Sequence, residues 1–240
     1  MPPRPYWQID VNELRSARRR RNKLDLGFKL YAVLLAITTL AAWSYTFLTQ
    51  SGELHRDILI AFSFVTLGML IKYGDEAFDV NVFSKRKTLA LVLPGALLMG
   101  GLIIADVSSG VIFTGLLLAL LMAGKYDNSA FRIGFIVAFS IAIVAYLLSP
   151  QTFHPVGVAV VFAAALADEH FSDFADRKEN PTLFDRVLQE RPFLKIAVFA
   201  LCAVGILSSF LYFFAFLGFD FGYSLVERYG HAQREADAAL

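Results

Sequence analysis

The chain alternates between long apolar stretches and short segments of polar and charged residues. A helix that crosses the bilayer core needs about 20 predominantly apolar residues, and fewer where one of its ends lies within protein. Seven stretches meet this requirement, and they cover residues 27–48, 57–78, 88–105, 110–125, 131–149, 156–175 and 193–217. The pattern therefore predicts an all-α fold, a polytopic transmembrane helical bundle with about seven spans.

The third and fourth predicted spans are short, and a single polar segment separates them. This segment, residues 106–110, contains an aspartate, two serines and a glycine, which are typical of a tight turn. We therefore expect an antiparallel hairpin here. Around the transmembrane domain of residues 27–217, the sequence predicts a basic N-terminal segment (1–26) and a polar C-terminal tail (218–240).

The composition supports the membrane assignment. Hydrophobic residues make up 57% of the chain and charged residues 18%, whereas an ordinary soluble domain is about half apolar. The mean hydropathy is +0.56, and 23 residues are phenylalanine. The net charge of +1 gives no indication of a nucleic-acid partner, so membrane lipids are the expected surroundings.

Cysteine and the first residues exclude some classes of protein. The single cysteine, Cys202, excludes an intramolecular disulfide and a zinc site built from several thiolates. Residues 1–26 are polar and rich in arginine, unlike a cleavable signal peptide. The basic run at residues 18–21 is expected to set the topology and to contact anionic lipids.

The distribution of lysine and arginine predicts the orientation. With the N-terminus on the cytoplasmic side, the predicted topology places 18 basic residues on that side. Arg56, Arg228 and Arg234 are the three on the other side. Because basic residues are enriched in cytoplasmic loops, we expect a cell-membrane protein with its N-terminus inside and its C-terminus outside.

Two acidic clusters follow apolar helices on the predicted cytoplasmic side. The first contains Asp75, Glu76 and Asp79, and the second contains Glu169, Asp173 and Asp176. Separations of three and four residues place side chains on one face of a helix. If the helices continue through the clusters, each presents about three carboxylates toward one point.

Like charges this close repel, so they require protonation, solvation or a cation. Magnesium is suitable because it binds a few carboxylates and completes its octahedron with water and phosphate oxygens. The six residues above are therefore candidate ligands of a Mg²⁺ ion that carries a phosphate group. The alternative interpretation is that each cluster is an ordinary solvated helix end.

Basic residues near the clusters allow the same two interpretations. They could neutralise a diphosphate, or they could satisfy the charge bias of cytoplasmic loops alone. The candidates for substrate binding are Lys85, Arg86, Lys87, Arg177 and Lys178. A further polar group between the fourth and fifth predicted spans comprises Lys125, Tyr126 and Arg132.

At these residues the chain resembles the UbiA-type intramembrane prenyltransferases. That family carries an Asn-Asp-x-x-Asp-x-x-x-Asp motif after its second helix, followed by basic residues. Asp75, Glu76 and Asp79, followed by the basic residues 85–87, are similar to it. A second family motif, Glu-x-x-x-Asp-x-x-Asp after the sixth helix, resembles Glu169, Asp173 and Asp176.

The resemblance spans roughly residues 27–200 and implies a function. The acids would hold Mg²⁺ and a prenyl diphosphate. The group at Lys125, Tyr126 and Arg132 would assist departure of the pyrophosphate. An isoprenyl group would then pass to a lipid-soluble acceptor. Neither the length of the prenyl chain nor the acceptor follows from the residues.

The chain departs from the family pattern at two acid positions and in its number of spans. Phe83 stands at the third acid of the first motif, and Asn180 lies near the late acid of the second. The family usually has nine spans. These differences favour an alternative, a non-catalytic protein that binds lipid diphosphates. A cation- or proton-coupled transporter is another alternative, although the middle of the predicted spans carries no charged relay.

Overall fold

The computed structural model describes residues 11–49, 54–78, 82–124, 129–178, 180 and 182–237. Side chains are described from residue 26 onward, except those of Asp176 and residues 235–237. Within these ranges every regular element is helical, which confirms the all-α prediction. The α-helices are α1 (Val11–Thr49), α2 (Leu54–Phe78), α3 (Lys85–Ala105), α4 (Val107–Met122), α5 (Ser129–Leu148), α6 (Pro155–Asp176), α7 (Leu183–Gln189), α8 (Pro192–Ala203) and α9 (Leu211–Asp237), with a short 3-10 turn at Pro150–Thr152.

Among the residues that the structure describes, five helices are long and apolar enough to cross a membrane. These segments are Leu26–Thr49, Leu54–Phe78, Lys85–Ala105, Ser129–Leu148 and Pro155–Ala175. Large apolar side chains such as Ile37, Phe47 and Leu147 are exposed on them. A continuous apolar surface of this kind is unfavourable in water and favourable against lipid. These properties are those of a membrane protein.

Two of the seven predicted spans differ from the helices observed. Residues 110–125 correspond to α4, which has 16 residues and is short for a span. Residues 193–217 do not form one helix, because α8 ends at Ala203 and α9 begins at Leu211. The chain turns at Gly205, whose φ of 75° lies in the left-handed region that glycine adopts without a side-chain clash.

Asp106 forms the predicted turn between α3 and α4. Its backbone N–H donates to the carbonyl of Leu102 at the end of α3. Its carboxylate accepts the N–H of Ser109 at 2.7 Å in the first turn of α4. One residue therefore ends one helix and caps the next, as aspartate is well suited to do. Gly110 then lies back against Ile103, so the predicted tight turn is confirmed, and α3 and α4 contact each other beyond it.

The same carboxylate also connects the hairpin to α2 and α9. Arg56 at the start of α2 lies 3.1 Å from Asp106 Oδ1. The hydroxyl of Tyr212 at the start of α9 donates to that oxygen at 2.7 Å. The starts of α2 and α9 therefore lie at one end of the bundle, which we call the Asp106 end.

α9 runs along α2 in the same direction. Near its start, α9 brings the carbonyl oxygen of Phe219 close to Gly68. A Cβ atom at position 68 would lie 2.0 Å from that oxygen. Near its other end, Arg234 reaches Glu76 in the last turns of α2. We call this second end of the bundle, where α2 and α6 end and α3 and α8 begin, the charged end.

The position of α9 corrects the predicted location of the C-terminal tail. Residues 218–237 belong to a helix that packs along α1 and α2. α1 is antiparallel to α9, since Phe28 contacts Tyr229 and Tyr45 contacts Phe214. The beginning of α1 and the end of α9 therefore share the charged end. The prediction that the C-terminal region lies opposite the N-terminal segment is wrong for these residues, because α9 brings the chain back to the end of the bundle where α1 begins.

Candidate functional site

The last turns of α2 place three charged side chains against α9. Lys72, Asp75 and Glu76 are three and four residues apart and therefore share a helix face. The Nζ atom of Lys72 lies 2.9 Å from Asp75 Oδ2 and 3.4 Å from Glu76 Oε1. Only 9% of the Lys72 side chain and 3% of the Glu76 side chain are exposed. Burial of these charges depends on their mutual pairing.

α9 supplies the remaining partners of this group. Glu227 Oε1 lies 3.1 Å from the Nζ of Lys72, and Arg234 lies 3.2 Å from Glu76 Oε2. The hydroxyl of Tyr223 donates to Asp75 at 3.4 Å, and the Lys72 ammonium lies 5.0 Å from the centre of the Tyr223 ring. We call this group the Lys72 cluster, and its members are Lys72, Asp75, Glu76, Tyr223, Glu227 and Arg234.

A second group forms where α6 meets α8. The Asp168 carboxylate accepts the backbone N–H groups of Phe193 at 2.9 Å and of Leu194 at 2.7 Å. These N–H groups lie in the first turn of α8, where they have no partner within the helix. Asp168, which belongs to α6, therefore caps α8 from outside. This role explains why a carboxylate can be almost fully buried at this position.

Ion pairs surround this cap. Arg191, whose backbone is in the left-handed region at φ 51°, lies 3.2 Å from Glu169. Lys195 Nζ lies 2.9 Å from Asp220 of α9. The hydroxyl of Tyr31 in α1 donates to the Glu190 carboxylate at 3.2 Å. We call this group the Asp168 cluster, and its members are Tyr31, Asp168, Glu169, Glu190, Arg191, Lys195 and Asp220.

One face of α9 connects the two clusters. Asp220, Tyr223 and Glu227 are three and four residues apart, so they lie along one side of the helix. Asp220 contacts α8, whereas Tyr223 and Glu227 contact α2. Arg191 lies within electrostatic reach of Tyr223 as well as of Glu169. Charged residues from distant parts of the sequence thus meet at the charged end.

The predicted magnesium ligands have different surroundings in this arrangement. Asp75 and Glu76 contact Lys72, Glu169 contacts Arg191, and Asp173 is exposed in the last turns of α6. Asp79 and the side chain of Asp176 lie outside the described residues. The described pairs are formed with cations of the protein, which compete with a metal for the same oxygens. Magnesium at the six residues stays a prediction.

Glu76, Glu227 and His231 also approach one another. One ligand atom from each of these side chains lies within 4.8 Å of the others. The two carboxylates are the partners of Lys72, and Glu76 also contacts Arg234. Because Lys72 and Arg234 already neutralise these carboxylate oxygens, the three side chains do not form an uncompensated acidic site that would favour a divalent ion.

Phe83, at the position of an acid in the family pattern, has an aromatic surrounding. Its ring stacks on Tyr73 of α2 at 4.4 Å and on Tyr229 of α9 at 6.1 Å between centroids. This stack lies beside the end of α2, next to the Lys72 cluster. A packing role explains the phenylalanine at this position.

The other side of α2 faces an apolar cavity. The cavity lies among α2, α3, α4 and α5 and has a volume of about 100 Å³. Its lining is almost entirely apolar and includes Leu67, Val92, Met99 and Phe135. Near the charged end, Tyr73, Thr88 and Phe131 complete the lining. The cavity therefore begins beside the start of α3.

The predicted substrate-binding cations fall into two groups. Lys85, Arg86 and Lys87 are exposed in the first turn of α3, directly before Thr88 of the cavity lining. Arg177 and Lys178 follow α6, away from this cavity, and Lys178 pairs with Asp185 of α7 at 2.5 Å.

Of the predicted catalytic group, Arg132 is exposed near the start of α5, adjacent to Phe131 of the cavity lining. Lys125 and Tyr126 lie outside the described residues.

The contribution of α9 is absent from the sequence prediction, although a signal for it exists. Asp220, Tyr223, Glu227 and Arg234 recur at helical spacing in a region interpreted as a tail. Gly218 and Gly222, four residues apart, allow the close approach to Val65 of α2. Comparisons with protein-family models, with curated proteins and with solved structures found no match to this chain.

Proposed function

We propose that this chain is a multi-pass membrane protein that binds a lipid with a long apolar chain and a phosphate-bearing headgroup, with isoprenyl diphosphates as the specific class. The charged end faces the cytoplasm in this proposal. The observation that carries it is the apolar cavity whose lining includes Thr88, directly after three consecutive exposed cations, Lys85, Arg86 and Lys87.

Part of the apolar chain would lie in the cavity, whose volume of about 100 Å³ is smaller than that of a long isoprenoid chain, and the rest would extend into the surrounding lipid. The residues of α3 in the lining recur at Thr88, Val92, Gly95 and Met99, so the lining follows one side of this helix away from the charged end. Within a bilayer the isoprenoid chain exchanges contacts with lipid tails for van der Waals contacts with the cavity lining, so close packing is what favours its binding there. The isoprenoid chain finds no buried carboxylate among the lining residues given above.

The headgroup would lie at the start of α3. The first turn of a helix has backbone N–H groups without intrahelical partners, and the positive end of the helix dipole favours an anion there. Ser84 makes no side-chain cap at this end of α3. The ammonium and guanidinium groups of residues 85–87 add charge-assisted hydrogen bonds to phosphate oxygens.

Binding without transfer is the function that the carboxylates favour. The described acids of both clusters are engaged with protein cations, at Asp168 with a helix terminus, and at Glu190 with the hydroxyl of Tyr31. Phe83 fills the place of one acid of the family motif with a ring. The two clusters therefore serve to hold α2, α6, α8 and α9 together beside the binding site.

A direct binding measurement tests the proposal. The full-length protein in lipid nanodiscs is titrated with radiolabelled geranylgeranyl diphosphate, with inorganic diphosphate and geranylgeraniol as competitors. Val92→Trp fills the cavity, and Leu97→Trp on the lipid-facing side of α3 is the matched control. We expect the Kd to rise about tenfold or more for Val92→Trp, equivalent to about 1.4 kcal/mol, and to stay unchanged for Leu97→Trp.

Replacement of the cations tests the headgroup site separately. Replacing Lys85, Arg86 and Lys87 with glutamine should weaken the binding of geranylgeranyl diphosphate and leave the binding of geranylgeraniol unchanged. The proposal would be overturned if all variants bound geranylgeranyl diphosphate with equal affinity. It would also be overturned if inorganic diphosphate bound as tightly as geranylgeranyl diphosphate, because the apolar chain would then contribute nothing.

Prenyl transfer is the second candidate function. The meeting of the two clusters along α9 favours it, because charged groups from two distant segments converge at one end of the bundle. Incubation with the labelled diphosphate, magnesium and a panel of lipophilic acceptors would distinguish the two. Magnesium-dependent product that disappears in Asp173→Ala supports transfer, whereas binding without product supports the first candidate.

A further inference from the structure

The short helix α7 displays apolar side chains at the charged end. Leu183, Phe184 and Val187 are 81%, 69% and 53% exposed. Leu183 and Val187 are four positions apart and Phe184 and Val187 are three apart, so the three side chains share one side of the helix. Three large apolar residues on a seven-residue helix form a patch that water solvates poorly.

The other side of α7 is fixed to the protein. Asp185 and Leu188 are buried. The Thr182 side chain accepts the N–H of Asp185, and the Asp185 carboxylate accepts the N–H of Thr182, which is a complete capping box. The apolar patch is therefore held in a defined orientation and points away from the bundle.

The patch belongs to a helix that packs against the end of α6. Phe174, in the last turn of α6, is 56% exposed. The Lys178 ammonium lies 4.7 Å from the centre of the Phe174 ring and pairs with Asp185 of α7. Because α6 is one of the helices apolar enough to cross a membrane, we expect α7, which is held at its end, to lie near the level where the bilayer ends.

Cations surround the apolar patch. Arg177 and Arg186 are exposed, Lys178 is paired with the buried Asp185 of α7, and the exposed acids of the same region, Asp173 and Glu190, lie on α6 and just after α7. Apolar side chains flanked by lysine and arginine are the pattern of helices that lie in the membrane interface and contact anionic headgroups. A bilayer surface is the partner that matches both the position of α7 at the end of α6 and the exposed arginines Arg177 and Arg186.

We propose that α7 is an interfacial helix whose side chains Leu183, Phe184 and Val187 insert at the boundary between the headgroups and the acyl chains of a membrane that contains anionic lipids. The insertion fixes the connection between α6 and α8 against the membrane plane. It is independent of whether the apolar cavity binds a lipid.

Tryptophan fluorescence of the full-length protein tests this proposal. Trp7 and Trp43 are replaced by phenylalanine, and Phe184→Trp then provides the single reporter. Gln189→Trp, on the opposite side of α7, is the matched control. The proteins are placed in nanodiscs of phosphatidylcholine and phosphatidylglycerol that carry a lipid spin label near the headgroup.

We expect the lipid spin label to quench the reporter at position 184 about twofold more strongly than the reporter at position 189, and aqueous iodide to show the reverse order. Leu183→Ser combined with Val187→Ser should reduce the lipid quenching at 184, as should nanodiscs without phosphatidylglycerol.

Iodide quenching of position 184 equal to that of position 189, without lipid quenching, would overturn the proposal. Protection of position 184 from both quenchers would also overturn it, because the patch would then be covered by protein. Thermal unfolding of each variant verifies that the fold is retained.

Discussion

The Nζ atom of Lys72 lies 3.1 Å from the Oε1 atom of Glu227, so an ion pair joins the end of α2 to α9. Lys72 also contacts Asp75 and Glu76 of its own helix. A buried ammonium is costly unless its charge is neutralised and its donors are satisfied. Three carboxylates around one lysine fulfil that condition, and one of them comes from a helix far away in the sequence.

Replacing Lys72 tests the importance of this contact. Lys72→Met leaves Glu76 buried and reduces its neutralisation to Arg234. We expect a loss of about 3–5 kcal/mol in the free energy of unfolding, because breaking a buried ion pair leaves an uncompensated charge. Thermal and denaturant unfolding in detergent, followed by circular dichroism, would measure it.

Two variants provide the controls for Lys72→Met. Lys87→Met removes an exposed lysine and should change stability by no more than about 0.5 kcal/mol. Adding Glu227→Gln to Lys72→Met removes one of the unmatched charges and should recover part of the loss. Equal stability of Lys72→Met and Lys87→Met would contradict the assignment of Lys72 as the centre of the cluster.

The hydropathy pattern was sufficient to predict where most of the helices lie in the sequence. The predicted stretches 27–48, 57–78 and 131–149 agree closely with apolar segments that end within a few residues of these limits. This success has a simple cause, since side chains that face lipid must be apolar whatever they pack against. The turn at Asp106 was also predictable, because its polar residues interrupt two apolar runs.

The hydropathy pattern was insufficient for α9. This helix carries Asp220, Glu227 and Arg234, which lower the local hydropathy. Their charges are neutralised by α2 and α8, and such pairing between distant segments does not follow from local composition. For the same reason the sequence identified Asp75 and Glu76 as notable residues without indicating Lys72 and Arg234 as their partners.

The close contact of α2 with α9 predicts a sharp effect of one methyl group. A Cβ at position 68 would lie 2.0 Å from the carbonyl oxygen of Phe219, and backbone cannot move aside as a side chain can. Gly68→Ala should therefore cost about 1–3 kcal/mol or more through overpacking, measured as a lowered unfolding temperature.

Gly101→Ala is the matched control for this substitution. A Cβ at position 101 meets nothing within 4 Å, and alanine is a better helix former than glycine by about 0.8–1 kcal/mol. This variant should be as stable as the wild type or more stable. A similar loss in both variants would show that the α2–α9 contact is looser than described.

The cap of α8 predicts a difference between two substitutions of one residue. Asp168→Ala removes the acceptor of the N–H groups of Phe193 and Leu194 and should cost about 1–3 kcal/mol, as for buried donors left unpaired. Asp168→Asn retains one acceptor oxygen and should cost less. Hydrogen exchange at residues 193 and 194 should accelerate more in the alanine variant, whereas equal exchange in all three proteins would contradict the capping role.

The capping box of α7 predicts a dependence of stability on pH. The ammonium of Lys178 and the hydroxyl and N–H of Thr182 donate to the Asp185 carboxylate, and together they lower its pKa from 3.8 to about 2. Since the folded state has the lower pKa, ionised Asp185 contributes its full stabilisation above about pH 4 and loses it as the pH falls toward 2. Asp185→Asn lacks this contribution at every pH. The difference in Tm between wild type and Asp185→Asn should therefore be constant from pH 7 to 5 and shrink between pH 4 and 2.5, whereas a difference that stays constant over the acidic range would contradict the pairing.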